Sequence, residues 1–156
     1  MVSSNLRLDS NVHIRAMSGP RVVADEHYHN LVVTSGKNIV RDLLNGDDTP
    51  LSHLGMGTSS TPVVAGQTNL GAEVNTRVAV TSGLKSTGKL TVLVYVPTTA
   101  YNGPAGTSSY TLWEAGLFTS DSLTATNAMF ARVAFANAIV KTADICVHIQ
   151  WDINIG

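Results

Sequence analysis

The chain has 156 residues, a formal net charge of −1 and a single cysteine, Cys146. That length suits one domain with a sizeable core, and one cysteine excludes both an internal disulfide framework and a multi-cysteine zinc site. The charge balance leaves no electrostatic footprint for nucleic acid, and no stretch approaches the ~20 apolar residues of a membrane span.

The first nine residues alternate polar with apolar and lack the apolar run of a signal peptide, so synthesis and retention in a cytoplasm are expected. Val12 to Ala16 and Arg21 to Val33 read as two strands joined through Ser18, Gly19 and Pro20. Residues 1–28 are therefore expected to form a hairpin or arm, with residues 29–156 as the main domain. One helix is predicted over 35–45. Thr34 or Ser35 can cap it, Ile39, Val40, Leu43 and Leu44 make its apolar face, and Asn45-Gly46 supplies the stop. The stretches 57–69 and 98–109 are long and polar, and read as surface excursions rather than linkers.

Between and beyond those loops lie further β segments. Val74 to Val80 alternates loosely. Lys89 to Val96 turns apolar on both faces and reads as a central, doubly covered strand. Leu112 to Phe118 and Met129 to Phe135 follow. The last segment is the clearest: Ile145, Val147, Ile149, Trp151, Ile153 and Ile155 alternate strictly with polar or small residues, so one set faces the core. Val147, Ile149, Trp151 and Ile153 are the predicted core, joined by Ile39 and Leu43 from the helix. About eight short strands and one helix predict an all-β fold, a jelly-roll-like antiparallel β-sandwich in one domain.

Glu114 stands out chemically, because its near neighbours are all apolar, small or uncharged. A buried carboxylate is costly without a partner. The next basic residue is Arg132, in equally apolar surroundings. The two segments are long enough apart to return antiparallel, which predicts a buried ion pair. Such a pair occurs in active sites and also pins register in structural proteins. No third group nominates itself for catalysis, so the structural role is preferred.

Other motifs carry less. Gly83 to Lys89 satisfies G-x-x-x-x-G-K, but Leu90 stands where a phosphate loop needs Ser or Thr, and a strand follows instead of a helix. His27 and His29 share one strand face at a spacing metals use, with a third ligand needed from Asp25, Glu26 or elsewhere. The preferred reading is a solvated face, with no metal or other cofactor. His13, His53 and His148 are scattered singles. Cys146 has no activating motif, and Asp47-Asp48 reads as the polar loop after the helix. No serine sits in a nucleophile elbow, and no enzymatic activity is expected.

Charged residues make up only 13% of the chain, against roughly 25% in an average domain. Interface cores are depleted of charge in this way, which predicts a subunit covered by its neighbours, a homo-oligomer within a symmetric assembly.

Three blocks then carry a resemblance. The first is His-Asn-Leu-Val-Val-Thr-Ser-Gly-Lys-Asn-Ile-Val-Arg-Asp-Leu-Leu from His29 to Leu44, followed by Leu-Ser-His-Leu-Gly-Met-Gly-Thr from Leu51 to Thr58. The second is Thr-Asn-Leu-Gly-Ala-Glu-Val from Thr68 to Val74. The third is Trp-Glu-Ala-Gly-Leu-Phe from Trp113 to Phe118, with Met129 to Arg132 and Ile149 to Ile153. In this order they span roughly four-fifths of the chain and resemble a group of small bacteriophage virion structural proteins, of the tail, fibre or baseplate-associated kind. The resemblance implies a non-enzymatic virion subunit of tail, neck or baseplate, whose partners are copies of itself and other virion proteins. A capsid decoration protein is the alternative within that class. A host-surface carbohydrate-binding module is the alternative outside it, and would need exposed loop aromatics, for which Tyr101 and Tyr110 are the only choices.

Overall fold

A computed structural model describes residues 7–47, 50–103 and 108–156. Residues 1–6 of the expected arm, Asp48 of the Asp47-Asp48 pair and part of the 98–109 loop lie outside the described residues.

The elements run β1 (Leu8–Ser18), β2 (Arg21–His29), β3 (Leu31–Val32), α1 (Thr34–Leu44), β4 (His53–Gly57), β5 (Glu73–Ala79), β6 (Ser82–Ser86), β7 (Lys89–Val96), β8 (Ser109–Phe118), β9 (Met129–Thr142) and β10 (Ile145–Ile155). They form two five-stranded sheets, ordered β2-β1-β10-β7-β6 and β3-β9-β8-β4-β5. Every paired neighbour is antiparallel. The fold is thus an all-β sandwich with one short helix. The chain lays down hairpins alternately in one sheet and the other, so each sheet is stitched from separated parts of the sequence.

Alternation in β10 decides how the sheets meet. Val147, Ile149, Trp151 and Ile153 are all at most 3% exposed. They pack with Val12, Ile14 and Ala16 of β1 and Val92, Val94 and Val96 of β7 against Leu54, Met56, Leu112, Leu117, Val133 and Phe135 of the second sheet. Trp151 is the largest side chain in this core, and its indole Nε1 donates to Ser10 Oγ at 2.9 Å. That bond satisfies the one polar atom the ring carries inside.

Residues 8–29 are no appendage. β1 pairs along its whole length with β10, from Leu8 opposite Ile155 to Ser18 opposite Ile145. The hairpin is built into the first sheet, with β2 as its edge. The motif at Gly83 to Lys89 is likewise a hairpin: β6 turns through Thr87 and Gly88 into β7, and Gly88 takes the left-handed φ of +66° that the turn demands.

Three expectations need correction. Leu43 was expected in the core but is 42% exposed, and Leu44 is 79% exposed. The helix docks through its first turns: Ser35, Gly36 and Ile39 are buried, and a Cβ on Gly36 would fall onto the Phe130 carbonyl of β9. Its far end then leaves the sheet, and Leu43 with it, while Ile39 joins the main core. Neither Thr34 nor Ser35 caps the helix. Val33 holds the N-cap position with no side-chain cap bond, and the Ser35 hydroxyl donates to the Met129 carbonyl at 2.6 Å instead. Finally, β7 is central but not covered on both faces, since Tyr95 is 43% exposed.

Candidate functional site

Charged groups gather on the face of the second sheet that points away from the sandwich core. In β8, Ala115 and Leu117 face the core, so the pleat turns Glu114, Gly116 and Phe118 to the opposite side. Arg132 of β9 lies opposite Gly116 and shares that face. The pair the sequence suggests is present: Arg132 Nε donates to Glu114 Oε2 at 2.7 Å, and both side chains are fully buried.

A loop, not the core, buries them. The chain between β4 and β5 is the surface excursion expected over 57–69, and it folds back over this face. The backbone N–H of Gly71 donates to Glu114 Oε2 at 2.9 Å, and that of Ala72 to Oε1 at 2.8 Å. The rest of the guanidinium serves the same loop. Nη1 donates to Pro62 O and Gln67 Oε1, and Nη2 to Thr61 O and Thr61 Oγ1. Leu70 closes over Phe118 and Met129 in a small apolar cluster of its own. Gly57 of β4 lies opposite Glu114, and a Cβ there would strike the carboxylate. Only glycine lets Glu114 lie flat against its neighbour strand.

A second pair on this side was not foreseen. Arg77 and Glu73, both on β5, meet through Nε–Oε1 at 2.7 Å and Nη2–Oε2 at 3.0 Å. Arg77 Nη1 donates to Ser120 O, and the guanidinium stacks 3.4 Å from the centre of the Phe118 ring. Two residues of opposite charge four apart on a strand share a face, which was the available signal. Lys141 is buried too, and its ammonium donates to Asn102 Oδ1, Thr142 O and Thr98 O. Burial pulls its pKa below the ordinary lysine value.

Glu114, Arg132, Arg77 and Lys141 each hold a loop, and Glu73 is taken up by Arg77. Glu114 has no open cleft beside it, and its partners are backbone amides and one guanidinium. This arrangement can fix geometry and has no free group for proton transfer to a ligand.

The outer face of the first sheet is different, because it is open. His13 stands opposite His27, Arg15 opposite Asp25, and Asn11 opposite His29. His13 Nε2 lies 2.6 Å from Asp25 Oδ1, and Arg15 donates to Asp25 Oδ2 from Nε and Nη2. The hydrogen bond from His13, with help from Arg15, holds the Asp25 carboxyl below its usual range. The two imidazoles stack with centroids 4.0 Å apart. His27 and His29 share this face, as the sequence suggests, and the fold adds His13 opposite His27. Farther along, His148 packs on Tyr95, and Cys146 Sγ lies 3.9 Å from His148 Nε2.

The two loop aromatics named for a carbohydrate site, Tyr101 and Tyr110, are not exposed. Tyr101 is 2% exposed and its hydroxyl reaches the Leu54 carbonyl at 3.4 Å; burial pushes its pKa well up. Tyr110 lies within β8, half-buried against the main core. Among the described residues no helix is long and apolar enough to cross a membrane. Compared with known protein families, curated proteins and solved structures, the chain finds no match.

Proposed function

We propose that this chain is a non-enzymatic structural subunit of a bacteriophage particle, in a tail, neck or baseplate assembly. It acts through repeated contacts with copies of itself and with other virion proteins. The observation that carries the reading is the use of buried charge. Glu114, Arg132, Arg77 and Lys141 hold loops to the sandwich, and Glu73 pairs with Arg77, which supports a rigid building block whose buried charges are committed to structure rather than to catalysis. The sequence blocks that resemble virion proteins include this clamp: Glu114, Arg132, Gly57, Gly71 and Ala72 all fall within them.

The low charge content supports a subunit with covered faces. Val22 and Val23 on β2 and Leu84 on β6 are exposed apolar residues on the two edges of the first sheet, where pairing or docking with a neighbour would cover them. At least one interface in the assembly should exceed ~1,000 Å² in total, with the β1–β2 hairpin contributing.

Immunogold labelling of purified phage particles, with antiserum against this chain, tests the proposal. Label at the neck or along the tail supports it. Label distributed over the shell transfers the subunit to the capsid decoration class. Particles that lack the chain, with the protein left free in the lysate, overturn the virion reading.

A further inference from the structure

Three metal-ligating side chains converge on the open face of the first sheet, beside its β2 edge. We propose that His13, Asp25 and His27 form a binding site for a divalent transition-metal ion of the zinc class. One ligand atom from each residue lies within 4.8 Å of the others. Zinc bound at ~2.0–2.2 Å by imidazole and carboxylate sets its tetrahedral ligand atoms roughly 3.3 Å apart, so adjustments of up to about 1.5 Å bring the set to that spacing.

Geometry and chemistry both suit an ion of this kind. The donors are two nitrogens and one oxygen, the mixture that zinc and its neighbours accept and that calcium and magnesium do not favour. His13 Nε2 and Asp25 Oδ1 are already 2.6 Å apart, a distance now bridged by a proton. To bind an ion through Nε2 the ring must free that lone pair, with the proton carried on Nδ1 of the neutral ring instead, so binding needs neutral imidazoles and weakens in acid. Parallel rings, here inclined by only 11°, cannot both aim an in-plane lone pair at one point. Binding therefore turns a ring about χ2, a soft torsion, and His27 is exposed on an edge strand with room to turn. Arg15 occupies Asp25 Oδ2 and leaves Oδ1 facing the site. It orients the carboxylate and, being cationic, moderates the affinity. Three protein ligands on an exposed face leave a position for water or for a ligand atom from a neighbouring molecule.

The site is separate from the loop clamp of the other sheet and stands whether or not the virion reading does. The Cys146–His148 pair on the same face is its chemical competitor, and the controls are chosen for that reason.

Zinc chloride titrated into the untagged chain, followed by calorimetry, should show saturation at one equivalent. His27→Ala should weaken binding by at least ~100-fold, since loss of a mere outer-shell partner already costs about 10–100-fold. Asp25→Asn should weaken it by at least ~10-fold on the same reasoning. Cys146→Ser, His148→Ala and His53→Ala should each keep the wild-type stoichiometry and affinity. In wild-type protein, which needs no variant to fold, the imidazole NMR signals of His13 and His27 should move together on adding zinc. The proposal is overturned if no one-equivalent saturation occurs, if binding survives His27→Ala, if Cys146→Ser or His148→Ala abolishes it, or if the His13 and His27 signals stay fixed.

Discussion

Arg132→Met is the sharpest test of the loop clamp. The substitution keeps much of the side-chain volume and removes the guanidinium. Glu114 then retains two backbone N–H donors, from Gly71 and Ala72, but its charge stays fully buried without a cation. Breaking a buried pair in this way costs about 3–5 kcal/mol. In a domain of this size that corresponds to a fall in melting temperature of roughly 6–20 °C. Glu114→Gln should do comparable damage for a different reason. Its carboxamide nitrogen, placed where Oε2 was, would face two donors, the Gly71 N–H and Arg132 Nε. Turned the other way, it would face the Ala72 N–H. The double variant Glu114→Leu/Arg132→Met should lose far less than the sum of its parts, with non-additivity of roughly 2–3 kcal/mol. It will not be neutral, because the Gly71 and Ala72 amides and the Thr61 and Pro62 carbonyls all lose partners. Urea titration of the four proteins measures the cycle. Amide hydrogen exchange at Gly71 and Ala72 reports whether the loop opens first. Single variants that lose under 1 kcal/mol, or strictly additive losses, would refute the clamp.

Trp151→Ala should cost about 3–5 kcal/mol, the range for a large buried aromatic, and it also strands the buried Ser10 hydroxyl; a loss below 1 kcal/mol in urea would contradict the packing. Gly36→Ala gains about 1 kcal/mol of helix propensity but drives a Cβ onto the Phe130 carbonyl, an overpacking cost of about 1–3 kcal/mol or more. The net effect should be destabilising, and a raised melting temperature would show that α1 is not seated on β9 as described. Burial pushes the Asp152 pKa up, but the hydrogen bonds from Lys89, Thr91 and Gln150 outweigh it, and the net shift is downward from 3.8. A depressed carboxylate contributes stability above its unfolded value and loses it as pH falls through the folded one. Asp152→Asn should therefore flatten the acid limb of the stability profile below pH 3.8, and an unchanged limb would remove Asp152 from the acid transition.

Legibility followed the locality of the signal. The core face of β10 was readable because period two is a property of the strand itself. The Glu114–Arg132 pair was readable because charge is scarce in this chain and each residue sits alone in an apolar run. Leu43 was misread because a helical stripe tells which residues share a face, not where the neighbouring sheet ends. The 57–69 loop was legible as a surface excursion, but its contacts were not, for a related reason. Its own residues are polar and small, and what ties it down are donors and acceptors on other strands: a carboxylate from β8 and a guanidinium from β9. A loop anchored by its backbone leaves almost no trace in its side chains.

The histidine cluster shows the same limit at the level of one residue. From the turn, Ser18 pairs with Arg21 and Met17 with Val22. Continued regularly, that register would set His13 opposite Glu26 and send His27 to a different row. It does not continue, because Ala16 pairs with Ala24 and Val23 is left over. This single-residue bulge slides β2 by one position relative to β1. It turns His27, Asp25 and His29 to the open face beside His13, Arg15 and Asn11, and it turns Glu26 and Tyr28 inward, where Tyr28 stacks on Phe135. Register slips of one residue exchange the two faces of a strand, so whether β2 presents an imidazole–carboxylate cluster or a different set of groups depends on where one extra residue is accommodated. Hydrophobic alternation constrains this weakly in an edge strand whose inward positions are only half-buried. The sequence contains the three ligands, but the bulge that assembles them is visible only in the paired strands.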